Sequence, residues 1–439
     1  MQSLYQPTLF SPPARCRLAL SMLVIAALAA CKAAPLAEKP QTPPPAAAIP
    51  IPIPSPSPVP VASSEDEHSQ KFAHWIDAFK TAARAAGIGK ATLNSALDTV
   101  RFLPRVIELD RAQPEFTRNV WDYLDSAVSS LRVSRGQEKL AQLRPQLDAV
   151  AARYGVPTEV LVAIWGVESN FGTHVGDVSA IDALATLGFE GRREEWARGQ
   201  LLAALKILQS GDIAREQMVG SWAGAMGQTQ FLPSAFLAYA VDADGDGKRD
   251  IWGSVPDVMA STANFLVQSG WQAGQPWGTE VRLPTGFDYT HADAAVRRST
   301  EAWATEGVQT ADGAPLPALA DSAILLPAGA RGPAFVVGPN FRTILRYNNA
   351  TSYALAVTLL AQRLANGPAV RAPWPRDMQA LTRSQMVALQ TALNAQGFST
   401  GAPDGIAGPA TQRGVRQYQS SLGLPADGYP TLDLLQRLP

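Results

Sequence analysis

From Val160 to Val167 the chain places apolar residues on every face of a helix, and the first charged residue after them is Glu168. A helix without a polar face belongs in a core, so this segment dictates a buried helix with a carboxylate at its end. Pro157 suits the first turn of such a helix and Gly172 its end. Apolar residues at spacings of three and four on either side (Trp75, Ile76 and Phe79; Leu201, Leu202, Leu205 and Leu208) extend the helical pattern from about residue 68 to 270. Between about 275 and 345 Gly, Pro and Ala accumulate and short β-like pieces such as Ala334-Phe335-Val336-Val337 occur, which predicts a small β-containing insertion. A helix bearing Tyr353, Leu355, Leu359 and Leu360 follows, and a proline-bearing break from Pro368 to Pro375 sets off a C-terminal unit.

Glu168 falls in the last turn of its helix, against Trp165 and Phe171. Burial and the negative end of the helix dipole both disfavour the charged carboxylate. A carboxylic acid kept protonated near neutral pH is what protonation of a glycosidic oxygen requires. A structural glutamate paired with an arginine would fit the same position.

Composition narrows the alternatives. The 439 residues suffice for more than one domain, and a net charge of −1 gives no field directed at nucleic acid. Both cysteines, Cys16 and Cys31, lie in the first segment, so the body has neither a disulfide framework nor a thiolate metal site. The four histidines lack metal-ligand spacing, which argues against a zinc amidase or peptidase. Arg15 and Arg17 precede an apolar run from Leu18 to Leu28, short for a bilayer span, and read as an export signal over residues 1–30. Residues 31–66 read as a linker whose alternating prolines (Pro50 to Pro60) favour polyproline II, at ~3.1 Å per residue a reach of roughly 60 Å. The expected organisation is completed by a catalytic domain over 67–370 and a small unit over 376–439.

The segment Glu168-Ser169-Asn170-Phe171-Gly172 resembles the E-S-x-x-G signature of lysozyme-like lytic transglycosylases, and the chain from about 70 to 366 is similar to the membrane-bound lytic transglycosylase B family. The matching pieces include Asp182 to Leu187, Arg192-Arg193, Ser221 to Pro233, Gly338 to Phe341, Arg346-Tyr347-Asn348 and Tyr353 to Val357. The resemblance implies a mainly α, α+β lysozyme-like fold. It also implies a lyase acting on peptidoglycan through Glu168 alone, with no cofactor needed for the chemistry. Glu168 would protonate the oxygen between N-acetylmuramic acid and N-acetylglucosamine, then act as base on the muramyl C6 hydroxyl to close a 1,6-anhydro ring. Ser221, Met226, Gln230, Phe265, Tyr347, Asn348 and Tyr353 would line the sugar cleft. Phe265 stands where the family often has tyrosine, so one hydroxyl contact is lost. Arg192 and Arg193 would bind peptide-stem carboxylates or stay solvated. Hydrolysis by a muramidase on the same fold, and a catalytically silent wall-binding adaptor, are the alternatives.

Three further segments complete the resemblance. Leu28-Ala29-Ala30-Cys31 resembles the lipobox of bacterial lipoproteins, implying lipidation at Cys31; Lys32, in place of an aspartate, favours the periplasmic face of the outer membrane. Asp242, Asp244, Asp246, Gly247 and Lys248 follow the first half of an EF-hand loop, with Gly253 where its last glutamate would stand. The family's later aspartate maps onto Asp257, and Asp250 could assist through water, so structural Ca2+ is expected. Finally, Leu381 to Leu438, with Thr382 as a helix cap and two related turns at Asp404-Gly405 and Asp427-Gly428, resembles a small helical peptidoglycan-binding domain of type 1.

Overall fold

The computed structural model describes residues 64–112 and 119–439. The export signal, Cys31 and the proline run lie outside the described residues. The first helix, Ser64–Ala85, starts inside the stretch expected to be linker.

The apolar segment forms the helix Thr158–Ser169, and Leu161, Val162, Ala163 and Ile164 are fully buried. Burial of each large aliphatic side chain contributes on the order of 1.5–3 kcal/mol. Helices Ser130–Gln142, Arg144–Tyr154, Val255–Gln268 and Thr351–Leu364 pack around it. Pro157 is the N-cap, one position earlier than expected, and the end is also earlier: Asn170 (φ 49°) and Phe171 (φ 60°) turn left-handed before Gly172 (φ 80°). Gly166 makes the fold-back possible, because a Cβ there would lie 2.7 Å from the Phe171 ring.

The insertion is a four-stranded antiparallel sheet in the order Gln309–Thr310, Gly278–Arg282, Ala334–Val337, Ala323–Leu325. All four residues of Ala334–Val337 are buried because the sheet is covered on both faces. Phe335 and Val337 join the main core, while Ala334 and Val336 alternate to a second core with Val281, Trp303, Val308 and Ile324. The C-terminal helices Arg383–Ala395, Pro409–Ser421 and Leu432–Gln436 enclose their own core of Leu389, Leu393, Val415, Tyr418 and Leu434. Thr382 caps the first of them in a capping box with Gln385. Among the described residues no helix is long and apolar enough to cross a membrane.

Candidate active site

Glu168 is 8% exposed. Its Oε1 accepts a 2.6 Å hydrogen bond from the Tyr353 hydroxyl, and its Oε2 has no partner among the described residues. No arginine or lysine pairs with it there, which disposes of the structural ion pair. Burial pushes its carboxyl up to about 8, against the smaller opposing pull of the Tyr353 bond. The group is therefore a neutral acid at pH 7, and Tyr353 occupies Oε1. The proton has Oε2 to itself.

The tyrosines form a wall beside it. Tyr347 and Tyr353 stack with ring centroids 6.3 Å apart and 10° between planes, and the Tyr347 hydroxyl donates to the Thr229 carbonyl at 2.6 Å. Asn348 caps the end of helix Pro339–Tyr347 and is buried. Tyr123, from helix Val120–Ala127, is a member that the sequence reading missed. Burial and the nearby Glu168 both raise its phenol above the ordinary range. Nothing in the sequence around Tyr123 sets it apart from an amphipathic helix residue.

The loop from Ser221 to Phe231 faces this wall and is built largely by its own polar groups. The Ser221 hydroxyl oxygen accepts the Ala223 and Ala225 amides at 3.3 and 3.1 Å. Gln230, left-handed at φ 51°, donates its side-chain amide to the Val175 and Gly227 carbonyls at 3.0 and 2.8 Å. Its amide nitrogen is thus committed to the loop, and only its oxygen is left for a sugar. Met226 is fully buried, its backbone paired with Phe231. Phe265 is likewise inside the core, packed on Tyr239, Tyr347 and Phe231 at 4.7, 4.8 and 5.8 Å. Its ring meets the Tyr347 ring edge to face and so helps to hold that tyrosine in place.

Arg192 and Arg193 share an internal partner, although about half of the Arg192 side chain (52%) and a quarter of that of Arg193 (25%) stay open to solvent. Both clamp Asp110, a carboxylate 1% exposed. Arg192 bonds its two oxygens at 3.2 and 3.3 Å and its carbonyl at 3.1 Å, and Arg193 adds a bond at 3.1 Å. A buried carboxylate needs such partners, and Arg193 also lies over the Trp196 ring.

Gln228 was also missed as a functional candidate, although it sits in the matching motif. Its Oε1 accepts the Trp165 indole N–H at 2.7 Å, its Nε2 donates to the Trp252 carbonyl at 2.7 Å, and its backbone N–H donates to Ile251. It joins the helix of Glu168 to the aspartate-rich loop.

In that loop, ligand oxygens of Asp242, Asp244 and Asp257 lie within 4.8 Å of one another. Asp257 is fully buried and its carboxyl is raised, chiefly by burial and further by Asp244, against bonds from the Ala243, Asp244 and Asp250 amides. Among the described residues no basic side chain pairs with the three, so a divalent cation suits the donor set. Asp246 stays outside the group, its Oδ1 accepting the Lys248 amide at 2.9 Å. Asp250 closes the turn to Trp252 and Gly253.

A single buried acid at the end of an enclosed helix, faced by tyrosines on a lysozyme-like scaffold, is the arrangement of the transglycosylases. The chain belongs to the transglycosylase SLT domain family, whose model matches residues 71–362, and a peptidoglycan binding domain model matches residues 382–438. Membrane-bound lytic murein transglycosylase B of Escherichia coli is 37% identical over 296 residues, covering 64% of this chain and 79% of that protein. The structure of SltB3 from Pseudomonas aeruginosa in complex with NAG-anhNAM-pentapeptide is 54% identical, with a TM-score of 0.82 over 84% of this chain and 99% of that one. Slt35 of Escherichia coli, solved in complex with calcium, is 31% identical, with a TM-score of 0.57 over 67% of this chain and 93% of that one. The protein is accordingly an enzyme, a lytic transglycosylase.

Proposed function

We propose that the chain cleaves the MurNAc–GlcNAc bond of peptidoglycan glycan strands and leaves 1,6-anhydromuramyl ends. The observation that carries this is Glu168: buried, protonated at neutral pH, with one oxygen held by Tyr353 and the other unpartnered. Its Oε2 proton passes to the glycosidic oxygen, the C1–O bond breaks, and the N-acetylglucosamine hydroxyl leaves. The muramyl acetamido oxygen can support the anomeric carbon meanwhile. The carboxylate then takes the proton of the muramyl C6 hydroxyl, whose oxygen bonds to C1. The proton balance closes on one residue and no water is consumed. The attacking hydroxyl belongs to the substrate itself, which gives it a high effective concentration. The anhydro sugar bound to the SltB3 relative supports the same outcome here.

Three accompanying roles belong to this reading. Asp242, Asp244 and Asp257 would hold a structural calcium ion, which would neutralise their mutual repulsion. Residues 382–438 would hold the enzyme on the wall and raise its local concentration. Cys31 would carry the lipid that anchors the protein to the periplasmic face of the outer membrane; a Cys31→Ser protein still found in the membrane fraction would refute that anchor.

The test is mass spectrometry of muropeptides released from sacculi by the parent and by Glu168→Gln. Muramyl products lighter by one water, absent with the variant, are expected. Hydrated ends would mean that water attacks instead.

A further inference from the structure

The C-terminal module contains the same device twice. In the first copy Gln390 donates to Asp404 Oδ1 at 3.0 Å and accepts the Gly405 amide at 2.9 Å. In the second, Gln419 donates to Asp427 Oδ1 at 2.7 Å and accepts the Gly428 amide at 2.8 Å. In both, Oδ1 also accepts the amide two residues on, from Ile406 at 2.8 Å and Tyr429 at 2.9 Å. Each turn glycine lies under an arginine. A Cβ on Gly405 would meet Arg383 Cγ at 2.5 Å, and one on Gly428 would meet Arg416 Nε at 3.0 Å.

The second copy is docked on the insertion, and its contacts display what such a turn can hold. Asp427 Oδ2 accepts the Ala330 amide at 2.7 Å. Gly329 approaches so closely that a Cβ there would lie 2.6 Å from Asp427 Oδ2 and 2.8 Å from Tyr429 Cβ, so glycine alone fits. Arg416 holds a carboxylate, Asp293 Oδ2 at 2.6 Å, and a carbonyl, Ala292 at 2.7 Å. The docked turn thus grips a backbone N–H beside a glycine, from the tight turn Gly329–Arg331, and a carboxylate from the separate segment at Asp293.

The first copy has the same groups facing solvent. Asp404 and Arg383 are exposed, and Ile406, in the place of Tyr429, is 37% exposed. Asp404 Oδ2 makes no bond among the described residues, and Arg383, which spends Nε and Nη2 on the Asp404 carbonyl at 3.3 Å each, makes none there through Nη1. The arginines differ in origin: Arg383 is the first residue of its helix, and Arg416 comes from the middle of the next.

We propose that the Asp404-Gly405-Ile406 turn with Arg383 is a peptide-binding site, and that it takes a short peptide offering a backbone amide and a free carboxylate. Asp404 Oδ2 accepts a ligand amide, and Arg383 meets the carboxylate. Given the wall substrate proposed above, the stem peptides of peptidoglycan have this chemistry.

The experiment is co-sedimentation of the full chain carrying Glu168→Gln with intact sacculi, and with sacculi whose stem peptides an amidase has removed. Asp404→Asn keeps the Oδ1 bonds and replaces only the outward acceptor, and Arg383→Met keeps the side-chain stem without its charge. Each variant should bind intact sacculi about tenfold more weakly, the scale of a lost charge-assisted hydrogen bond, and stripped glycan no differently from its parent. Parental binding by either folded variant, or parental retention undiminished on stripped glycan, overturns the site. Failure of the parent itself to bind intact sacculi would instead strike the reading of the wall as substrate.

Discussion

Replacing Glu168 by glutamine should abolish activity and at the same time stabilise the fold, by an amount set by pH. An unfolded glutamate titrates near the ordinary 4.5, whereas the folded group titrates at about 8. The folded-state value is the raised one, so the stability linked to this group is fully present below pH 4.5. It is lost progressively as pH rises to 8, because the unfolded chain releases a proton that the folded chain must keep. At 1.36 kcal/mol per unit, the loss is about 3 kcal/mol at pH 7 and about 5 kcal/mol above pH 8. Glutamine carries no charge in either state and escapes this loss. Its amide oxygen can still accept the Tyr353 bond, and its NH2 replaces an Oε2 that lacks a partner already. With an unfolding entropy of about 2.1 cal/mol/K per residue over roughly 300 residues, the gain in melting temperature is about 5 °C at pH 7 and about 8 °C at pH 9. It should vanish near pH 4. Thermal denaturation of both proteins across that range is the assay. A melting difference that ignores pH, or a glutamine variant less stable than the parent at pH 9, would refute the claim that Glu168 is held protonated by burial.

Three other expectations come from the same geometry. Tyr353→Phe removes the bond that lowers the Glu168 carboxyl, so the alkaline limb of the kcat profile should move to higher pH. kcat itself should fall by about 100-fold as the acid loses its fixed orientation; steady-state rates between pH 5 and 10 decide both. Added calcium should raise the melting temperature of the parent by an amount equivalent to about 2.7 kcal/mol at a hundredfold excess over the dissociation constant. Asp257→Asn should remove the response, and a parent indifferent to both calcium and chelator would exclude the cation. Gln228→Leu leaves the Trp165 N–H and the Trp252 carbonyl unpaired, which costs about 1–3 kcal/mol per group; denaturant unfolding should show it, with kcat reduced more than KM is changed.

How much of this was legible beforehand depended on whether a residue's role is local. The buried helix, the position of Glu168, the capping by Thr382 and the strand at Ala334–Val337 follow from patterns within a few residues. The roles of Arg192 and Arg193 do not. Their partner Asp110 is 82 and 83 positions away, and no spacing rule links them. Gln230 shows the same limit in reverse. An amide in a glycine-rich loop looks like a ligand group, yet the left-handed backbone at Gln230 turns its nitrogen onto the Val175 and Gly227 carbonyls. Phe265 and Met226 lie beside site residues in the chain's motifs but under them in space.

Several departures from ordinary folding rules meet at one helix end. Asn170 and Phe171 adopt backbone angles that cost a non-glycine residue on the order of 1 kcal/mol or more. Beside them sit an acid whose ionisation burial opposes and an oxygen with no partner among the described residues. Polar bonds from outside the helix hold this end in place: Tyr353 on Oε1, and Gln228 on the Trp165 indole. Gln228 also reaches the segment that closes the aspartate loop, so the acid and the metal-suited carboxylates share one mechanical support. A fold selected for stability alone would have replaced Glu168 and relaxed the turn. Their coincidence within an otherwise close-packed helical core is what the proposed catalytic role of Glu168 would require of its surroundings.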